Sequence, residues 1–176
     1  MEIIKSYRQS VPAVKLIGRK YGDADRVDGM FGYHWMQWMD NGWFQTIEVA
    51  AGGKESLQSL YEDGTAALGF MRYKDGAPFE YWIGMFTPPS TPAPEGFDYL
   101  ELGASNLGIC WYLGTEDEIY GKEHLAMERI QAEGMALQPD EQGYLNFFER
   151  YSMERFVDQD ESKNKILDIG FVVKGA

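Results

Sequence analysis

The pattern of hydrophobic and polar residues divides the chain into strands and helices. Short segments rich in branched and aromatic residues end at glycine, proline or acidic clusters, which is typical of strands. Longer segments repeat apolar residues every three or four positions, which is typical of amphipathic helices. The predicted strands are 11–20, 65–73, 79–86, 97–102, 106–113, 143–151 and 166–173. The predicted helices are 30–50, a short piece within 54–64, and 116–133.

Glycine, proline and acidic residues predict where these elements begin, end or turn. Asp28 is a candidate cap for the first helix, which is expected to break at Asn41-Gly42. The sequence Lys74-Asp75-Gly76 is a hairpin signal between two strands. Residues 88–96 hold four of the seven prolines and predict a stiff, extended connector. The polar stretch 158–165 predicts an exposed loop.

The same order of elements, strand–helix–strand–strand, occurs on both sides of the proline-rich connector. A short echo accompanies it, since FEYW at 79–82 and FERY at 148–151 each lie on a hairpin strand after a helix. Repetition of this kind indicates duplication. We therefore predict one α+β domain, residues 1–176, built from two β-α-β-β pseudo-repeats at about 11–87 and 97–174.

Charge and composition narrow the classes of partner. The net charge is −12, which disfavours direct nucleic-acid binding and anionic membrane surfaces and favours cationic ligands. Aromatic residues make up 15% of the chain, which indicates either an aromatic-rich core or flat faces that hold a ligand. The single cysteine, Cys110, excludes an intrachain disulfide, and no apolar run approaches membrane-spanning length. The expected location is the cytoplasm.

Glu149 is the first candidate for a functional residue. Side chains alternate along a strand, so Phe147, Glu149 and Tyr151 share one face. A carboxylate between aromatic rings suits a cation, through Coulomb attraction and cation–π contacts of about 0.5–2 kcal/mol. Such a carboxylate also has a raised pKa, which suits proton transfer. The alternative is a glutamate at the rim of the sheet, paired with Arg150 or a lysine.

Other candidates are less specific. Further residues that would line a pocket are Glu80, Tyr81, Trp82, Tyr112, Trp38 and Trp43. Glu80 and Trp82 share a strand face, although a solvated glutamate beside a core tryptophan explains them equally well. Trp35, Trp38 and Phe31 form a stripe at helical spacing, which more often belongs to a core than to a ligand wall.

The sequence lacks the motifs of common metal and cofactor sites. His34 and His124 lack the spacing of metal ligands, and no phosphate-binding or nucleophile motif occurs, so neither metal nor cofactor is expected. Cys110, in an apolar strand, is expected to be an inert thiol.

Several short motifs, taken in order, resemble the GyrI-like (AraC-type effector-binding) family. They are VPAVKLIG at the start, FEYWIG leading into PEGF, and FERY followed by LDIGFVVK. The match spans about 11–173. The chain departs from the family pattern in its final strand, GFVVK, and in a first helix rich in tryptophan. It also starts its first strand too early for a preceding helix-turn-helix, so a stand-alone member without a DNA-binding module is expected.

The resemblance implies one curved antiparallel sheet, two main helices and a ligand cleft between them, with Glu149 in the cleft. It implies a binding domain for hydrophobic, drug-like and often cationic small molecules, of the kind found in transcription regulators. Some stand-alone members hydrolyse cyclopropane-containing electrophiles. In that alternative Glu149 is the general base, and Tyr112 or Tyr151 orients the water or donates a proton. A third alternative is an acidic module that binds a protein partner.

Overall fold

The computed structural model describes residues 1–157 and 163–176, and it has an α+β fold with one eight-stranded antiparallel sheet. The strands are β1 (Glu2–Val11), β2 (Val14–Tyr21), β3 (Ala67–Tyr73), β4 (Glu80–Thr87), β5 (Asp98–Leu102), β6 (Ser105–Gly114), β7 (Leu145–Tyr151) and β8 (Lys165–Val173). The helices are α1 (Gly32–Asn41), α2 (Trp43–Ala50), α3 (Lys54–Gln58), α4 (Glu116–Ile119) and α5 (Glu123–Ala132). Residues 158–162 of the predicted polar loop lie outside the described residues.

The strand order is β1-β6-β8-β7-β3-β4-β2-β5, and every neighbouring pair is antiparallel. In the first half, β4 lies between β2 and β3. In the second half, β8 lies between β6 and β7. The two halves meet in the middle of the sheet, where β7 pairs with β3 and Glu149 lies opposite Gly69. The centre of the sheet is therefore a place where residues of both halves are adjacent.

The two outer strands differ in how well the sequence predicts them: β5 matches the predicted strand 97–102, whereas β1 has no predicted counterpart. The first predicted strand, 11–20, corresponds mainly to β2, whereas β1 precedes it and was not predicted. β1 is an edge strand whose side chains are mostly exposed or half-buried, so it lacks the alternation by which a strand is recognised. It pairs with β6 in the second half, while β5 pairs with β2 in the first.

The first long helix breaks where predicted but begins later. Gly42 has φ 65°, a left-handed conformation, and separates α1 from α2. The prediction that Asp28 caps α1 was wrong. Asp28 and Gly29 both have positive φ and form a tight turn closed by two backbone hydrogen bonds between Val27 and Met30. An Asp-Gly pair is a turn signal of this type, and here it takes precedence over capping.

The helix predicted at 116–133 is interrupted. α4 ends at Ile119 and α5 begins at Glu123, because Gly121 adopts φ 71° between them. A capping box of Thr115 and Glu118 begins α4. The interruption turns the chain across the sheet, so that Tyr120 and Glu123 point towards its centre, as described below.

The two faces of the sheet pack against different sets of side chains. One face is covered by the helices and includes Ile17, Tyr81, Ile83 and Ile169. The other face packs aromatic rings around Phe148 and also encloses a buried ionic network. That network joins Arg150 and Arg155 to Asp168 and Asp63. Within the described ranges, the helices are too short or too polar to cross a membrane.

Candidate functional site

Glu149 lies at the centre of the sheet, on the face covered by the helices. It projects from β7, and only 8% of it is exposed. Its cross-strand neighbours are Gly69 on β3 and Ile169 on β8. A Cβ atom on Gly69 would lie 2.5 Å from the Tyr81 hydroxyl and 3.2 Å from Glu149 Oε2. The absence of a side chain at Gly69 therefore makes room for the carboxyl group and the phenol together.

Polar groups from three elements surround the Glu149 carboxyl group. The Tyr151 hydroxyl donates to Glu149 Oε2 over 2.6 Å. The Tyr81 hydroxyl lies nearby, beside Gly69, and Trp35 Nε1 donates to it over 2.9 Å. Tyr151, Tyr81 and Trp35 come from β7, β4 and α1, so three separate elements enclose one carboxyl group.

The turn between α4 and α5 supplies two more polar groups. Tyr120 lies near Tyr151 and raises its pKa. Glu123, the first residue of α5, is half-buried and raises the pKa of Glu149. The cluster thus contains two carboxyl groups and three phenols, and residues of both halves of the sheet contribute to it.

Burial controls the protonation of the cluster. The pKa of Glu149 is raised to about 8, mainly by burial and also by Glu123, while the hydrogen bond from Tyr151 and the nearby Tyr81 hydroxyl lower it. Burial and the nearby Glu149 also raise the pKa of Tyr81 and of Tyr151 well above that of free tyrosine. The pKa of Tyr120 is raised to about 12, mainly by burial. At neutral pH, Glu149 is therefore an uncharged carboxyl group among uncharged phenols.

Aromatic rings surround this cluster on the helix side. The Trp35 ring packs edge-on against Tyr151 at 4.8 Å, and its other neighbour is Phe44 of α2 at 5.8 Å. Phe31 stacks flat on Tyr81, with 4.1 Å between ring centroids. These rings provide the flat, polarisable surfaces on which an organic cation would stack.

The structure brings together part of the predicted site. Glu149, Tyr151 and Tyr81 form its centre. Phe147 lies on the same face, where it stacks on Phe171 at 5.0 Å. Tyr112 is also on this face but is fully buried, and its hydroxyl donates to the Lys122 carbonyl over 2.7 Å.

Two predicted wall residues belong to the packing of the first helices. Trp38 is fully buried, and its Nε1 donates to the Tyr21 hydroxyl over 3.0 Å. Trp43 packs edge-on against Trp38 and covers the Arg19 guanidinium at 4.0 Å. Both tryptophans thus have partners within the protein.

The structure corrects the expected grouping of Glu80 and Trp82 with Glu149. Both lie on the opposite face of the sheet, where Trp82 Nε1 donates to Glu80 Oε1 over 3.0 Å. Arg72 forms an ion pair with Glu80 at 3.2 Å and with Asp140 at 2.9 Å. The strand register decides this, because Tyr81 rather than its neighbours points to the side of Glu149.

Four residues of the cluster were missed or assigned elsewhere. Trp35 was assigned to the core, and Tyr120, Glu123 and Gly69 were not singled out. Two glycines in the sequence indicate parts of this site. Gly69 is an isolated glycine in a strand, which marks a close approach of a neighbouring group, and Gly121 lies within a predicted helix, where a glycine marks a break.

Two clefts lie away from the cluster. One of about 640 Å³ is on the opposite face, and Phe70, Phe86 and Phe148 are among its lining residues. The other, of about 510 Å³, lies between the N-terminus and α5 and is lined by Met1, Ile3, Leu125, Glu128 and Arg129. Neither includes Glu149, which is consistent with its 8% exposure. The side chains around Glu149 are thus closely packed in this conformation.

Solved structures share the fold. A Staphylococcus aureus MU50 protein named for bacterial transcription regulation matches 97% of this chain and 99% of its own, with a TM-score of 0.62 and 17% identity. The structure of SAV2435 bound to tetraphenylphosphonium matches with coverages of 98% and 95%, a TM-score of 0.60 and 19% identity. A hydrolase from Listeria innocua matches with coverages of 99% and 94%, a TM-score of 0.51 and 13% identity.

Sequence comparisons add nothing to these matches: no family model fits the chain, and no curated protein matches it. At identities below 20%, the structural matches establish the fold and leave the chemistry to the site itself. The chain shares the fold of these proteins, one of which is named for bacterial transcription regulation and another of which is bound to tetraphenylphosphonium.

Proposed function

We propose that this protein is a GyrI-like effector-binding domain that holds a hydrophobic organic cation against Glu149. The observation that carries the proposal is a carboxyl group buried without a cation. The groups that act most strongly on Glu149 are Tyr151, Tyr81 and a second carboxyl group, Glu123. Within the described residues, Glu149 forms no salt bridge.

A cationic ligand would offset the energetic cost of this arrangement. Removing a carboxylate from water is unfavourable, and a positive charge beside it restores the lost interaction. The cleft on the opposite face suits a cation less well, because its Asp140 already pairs with Arg72. Its other carboxylates, Glu101 and Glu141, are exposed, so water already solvates them and a cation gains little by pairing there. Charge pairing therefore favours the Glu149 cluster over the larger cleft.

Ligand entry requires that side chains above Glu149 move. Trp35 and Tyr151 pack edge-on against each other beside the carboxyl group, and both side chains are only partly buried. Their displacement by a ligand replaces ring–ring contacts with ring–cation contacts. A tryptophan at this position also provides an optical signal for binding.

Tetraphenylphosphonium, the ligand of the similar SAV2435 structure, is the first probe. Titration into the protein is expected to quench tryptophan fluorescence, and calorimetry gives the affinity. Glu149→Gln keeps the shape of the side chain but removes the ionisable group, so affinity should fall at least about tenfold, or 1.4 kcal/mol. Glu101→Gln, on the exposed face of β5, is the matched control and should bind as wild type does. Equal affinity of Glu149→Gln and wild type would refute the proposal.

Hydrolysis is the second candidate function, and one observation favours it. Once ionised, a carboxyl group with a pKa of about 8 that is hydrogen-bonded to Tyr151 is a stronger base towards water than an ordinary carboxylate, so activity should rise as the pH approaches 8. Tyr112 is not suited to assist, because its hydroxyl donates to the Lys122 carbonyl. Incubation with a cyclopropane-containing electrophile, followed by mass spectrometry, tests this function. Turnover by wild type and its loss in Glu149→Gln would support it, and no turnover by wild type would exclude it.

We also infer that the chain is a single domain of two pseudo-repeats, about 11–87 and 97–174. The support is the sheet order, in which β6-β8-β7 and β3-β4-β2 place corresponding strands at corresponding positions. In this arrangement Gly69 of the first half and Glu149 of the second face each other across the junction. The ligand site would then lie on the axis that relates the repeats.

A further inference from the structure

The two ends of the sheet are joined by links that are too short for a flat sheet. Only Pro12 and Ala13 separate β1 from β2, and only Gly103 and Ala104 separate β5 from β6. In the strand order the members of each pair lie six positions apart, which in a flat sheet is about 29 Å at about 4.8 Å per strand. A link of two residues makes three steps between Cα atoms and spans at most about 11 Å. The sheet therefore curls until its two edges lie close together.

The inside of this curl is the face opposite Glu149. One hydrophobic cluster on that face includes a side chain from each of the eight strands. In strand order from β1 to β8 these are Tyr7, Leu16, Phe70, Phe86, Leu100, Leu107, Phe148 and Val172. A single cluster can include every strand only if the sheet wraps around it. On this face the sheet thus forms a partly closed barrel with an interior of its own.

The interior is blocked at one end and open at the other. Asn146, Phe148 and Arg150 follow one another along the inner face of β7. Arg150 closes one end through its buried ion pair with Asp168. Phe148 and Asn146 line the cleft of about 640 Å³, which also includes the link between β5 and β6 and residues 138–142. This cleft, called the inner cleft below, is therefore the open mouth of the curled sheet, and barrel mouths are common ligand sites.

Charged groups lie only at the rim of the inner cleft. Away from the rim its lining is largely apolar and includes Val11, Val14, Phe70, Phe86, Leu107 and Phe148. At the rim, Arg72 pairs with Asp140 at 2.9 Å. The exposed groups are Glu101, Glu141 and Lys174, which leave one negative charge in excess on a chain of net charge −12. An anion is repelled by this rim, and a cation finds only paired or solvated carboxylates.

We propose that the inner cleft is a second ligand site, which takes an uncharged, apolar molecule of drug-like size. Its volume of about 640 Å³ lies within the range of roughly 300–1,000 Å³ of such sites. Phe148 lines it, whereas the next residue, Glu149, points to the other face of the sheet. The two sites are therefore separated by the sheet and can be occupied together. This second site does not depend on the proposed binding of a cation at Glu149.

Two dyes with the same ring skeleton test the charge preference: N-phenyl-1-naphthylamine, which is neutral, and 8-anilinonaphthalene-1-sulfonate, which is an anion. Both fluoresce more strongly in apolar surroundings. Titration of the neutral dye into the protein should give a saturable rise in fluorescence, and the anionic dye should bind at least about tenfold more weakly. Failure of the neutral dye to bind, or equal affinities of the two dyes, would overturn the proposal.

Substitutions at Ala104 test the location. Ala104 is exposed and lines the inner cleft, so Ala104→Trp should obstruct the cleft and weaken binding of the neutral dye at least about tenfold. Ala104→Ser leaves the cleft open and should bind the dye as wild type does. Ala132→Trp, at the exposed end of α5, adds the same bulk elsewhere and should also leave binding unchanged. Unchanged affinity in Ala104→Trp would overturn the proposal.

Tetraphenylphosphonium distinguishes the inner cleft from the Glu149 cluster. The neutral dye should bind equally well to wild type, to Glu149→Gln and to wild type saturated with tetraphenylphosphonium. Displacement of the dye by tetraphenylphosphonium, or its loss in Glu149→Gln, would assign it to the Glu149 cluster and overturn the proposal. If the dye binds and tetraphenylphosphonium does not, the proposed cation binding fails while the second site stands.

Discussion

Glu149 occupies a position where most charged residues are unfavourable, the middle of a sheet beneath two helices. Burial raises its pKa to about 8, against an ordinary value of 4.5. A group whose pKa is raised by folding binds a proton more tightly in the folded state than in the unfolded state. Its protonated form is stabilising below its ordinary pKa, and this contribution is lost as the pH rises through the folded value.

Glu149→Gln should therefore change how stability depends on pH. The free energy of unfolding of wild type should fall between about pH 5 and pH 8, with a contribution from Glu149 of up to about 1.4 kcal/mol per pH unit. The glutamine variant lacks this contribution and should show a flatter profile. Urea denaturation across this range measures both, with Glu101→Gln as the exposed control. Parallel profiles for Glu149→Gln and wild type would contradict the assigned pKa.

Gly69→Ala should disturb the site directly. The new methyl group would lie 2.5 Å from the Tyr81 hydroxyl and 3.2 Å from Glu149 Oε2, so the phenol must shift and its hydrogen bond with Trp35 weakens. We expect a loss of about 1–3 kcal/mol in unfolding free energy, together with weaker binding of tetraphenylphosphonium. Gly103→Ala, at a position where a methyl group meets nothing within 4 Å, should be nearly neutral in both measurements. Similar losses in the two variants would show that the close contact at Gly69 does not matter.

At the scale of elements, the turns at Gly42 and Gly121 determine which helical side chains lie near Glu149. The left-handed Gly42 divides α1 from α2, and Trp35 and Phe44 on either side of it pack against each other. The left-handed Gly121 divides α4 from α5 and brings Tyr120 and Glu123 to the carboxyl group. An unbroken helix over 116–133 would not turn the chain at this point.

Gly121→Ala should separate backbone strain from function. An alanine in the left-handed region is unfavourable by about 1–2 kcal/mol. Gly29→Ala is a matched control, because its φ of +76° is close to the +71° of Gly121, and neither methyl group meets an atom within 4 Å. Both variants should lose similar stability in urea denaturation. Ligand affinity should fall in Gly121→Ala alone, and an equal effect on affinity in both would argue against a role for this turn.

At the scale of the whole molecule, the central strands carry opposite chemistry on their two faces. Glu149 faces the helices as a protonated acid, while its neighbour Arg150 faces the other way and is fully buried in an ion pair with Asp168 at 2.7 Å. Asp63 joins the network from the segment before β3, Gln9 from β1, and Arg155 from the turn after β7. The network thus connects segments that are distant in sequence.

Asp168→Asn should be strongly destabilising. It removes the charge shared by Arg150 and Arg155 while both guanidinium groups stay largely buried, and breaking such a network is unfavourable by about 3–5 kcal/mol. Asp23→Asn, which removes an exposed pair with Arg26, should change stability by less than about 1 kcal/mol. Chemical denaturation compares the two. A loss at Asp168 as small as that at Asp23 would show that the network contributes little to stability.

The sequence by itself determined the α+β class, most of the strands and helices, and the face on which Glu149 lies. These depend on local periodicity, because a strand places every second residue on the same side whatever it packs against. The same alternation put Tyr151 beside Glu149 and Arg150 on the opposite face. The repeated order of elements likewise predicted two similar halves.

The tertiary structure decided which of these residues meet. Edge strand β1 was missed because it has no clear alternation, and its pairing with β6 depends on a long-range contact. The strand register put Tyr81 beside Glu149 and left Glu80 and Trp82 on the far side of the sheet. Glu123 joined the site only because Gly121 turns the chain. Local sequence determines the side to which a residue points, whereas the pairing of distant strands and the placement of helices determine its neighbours.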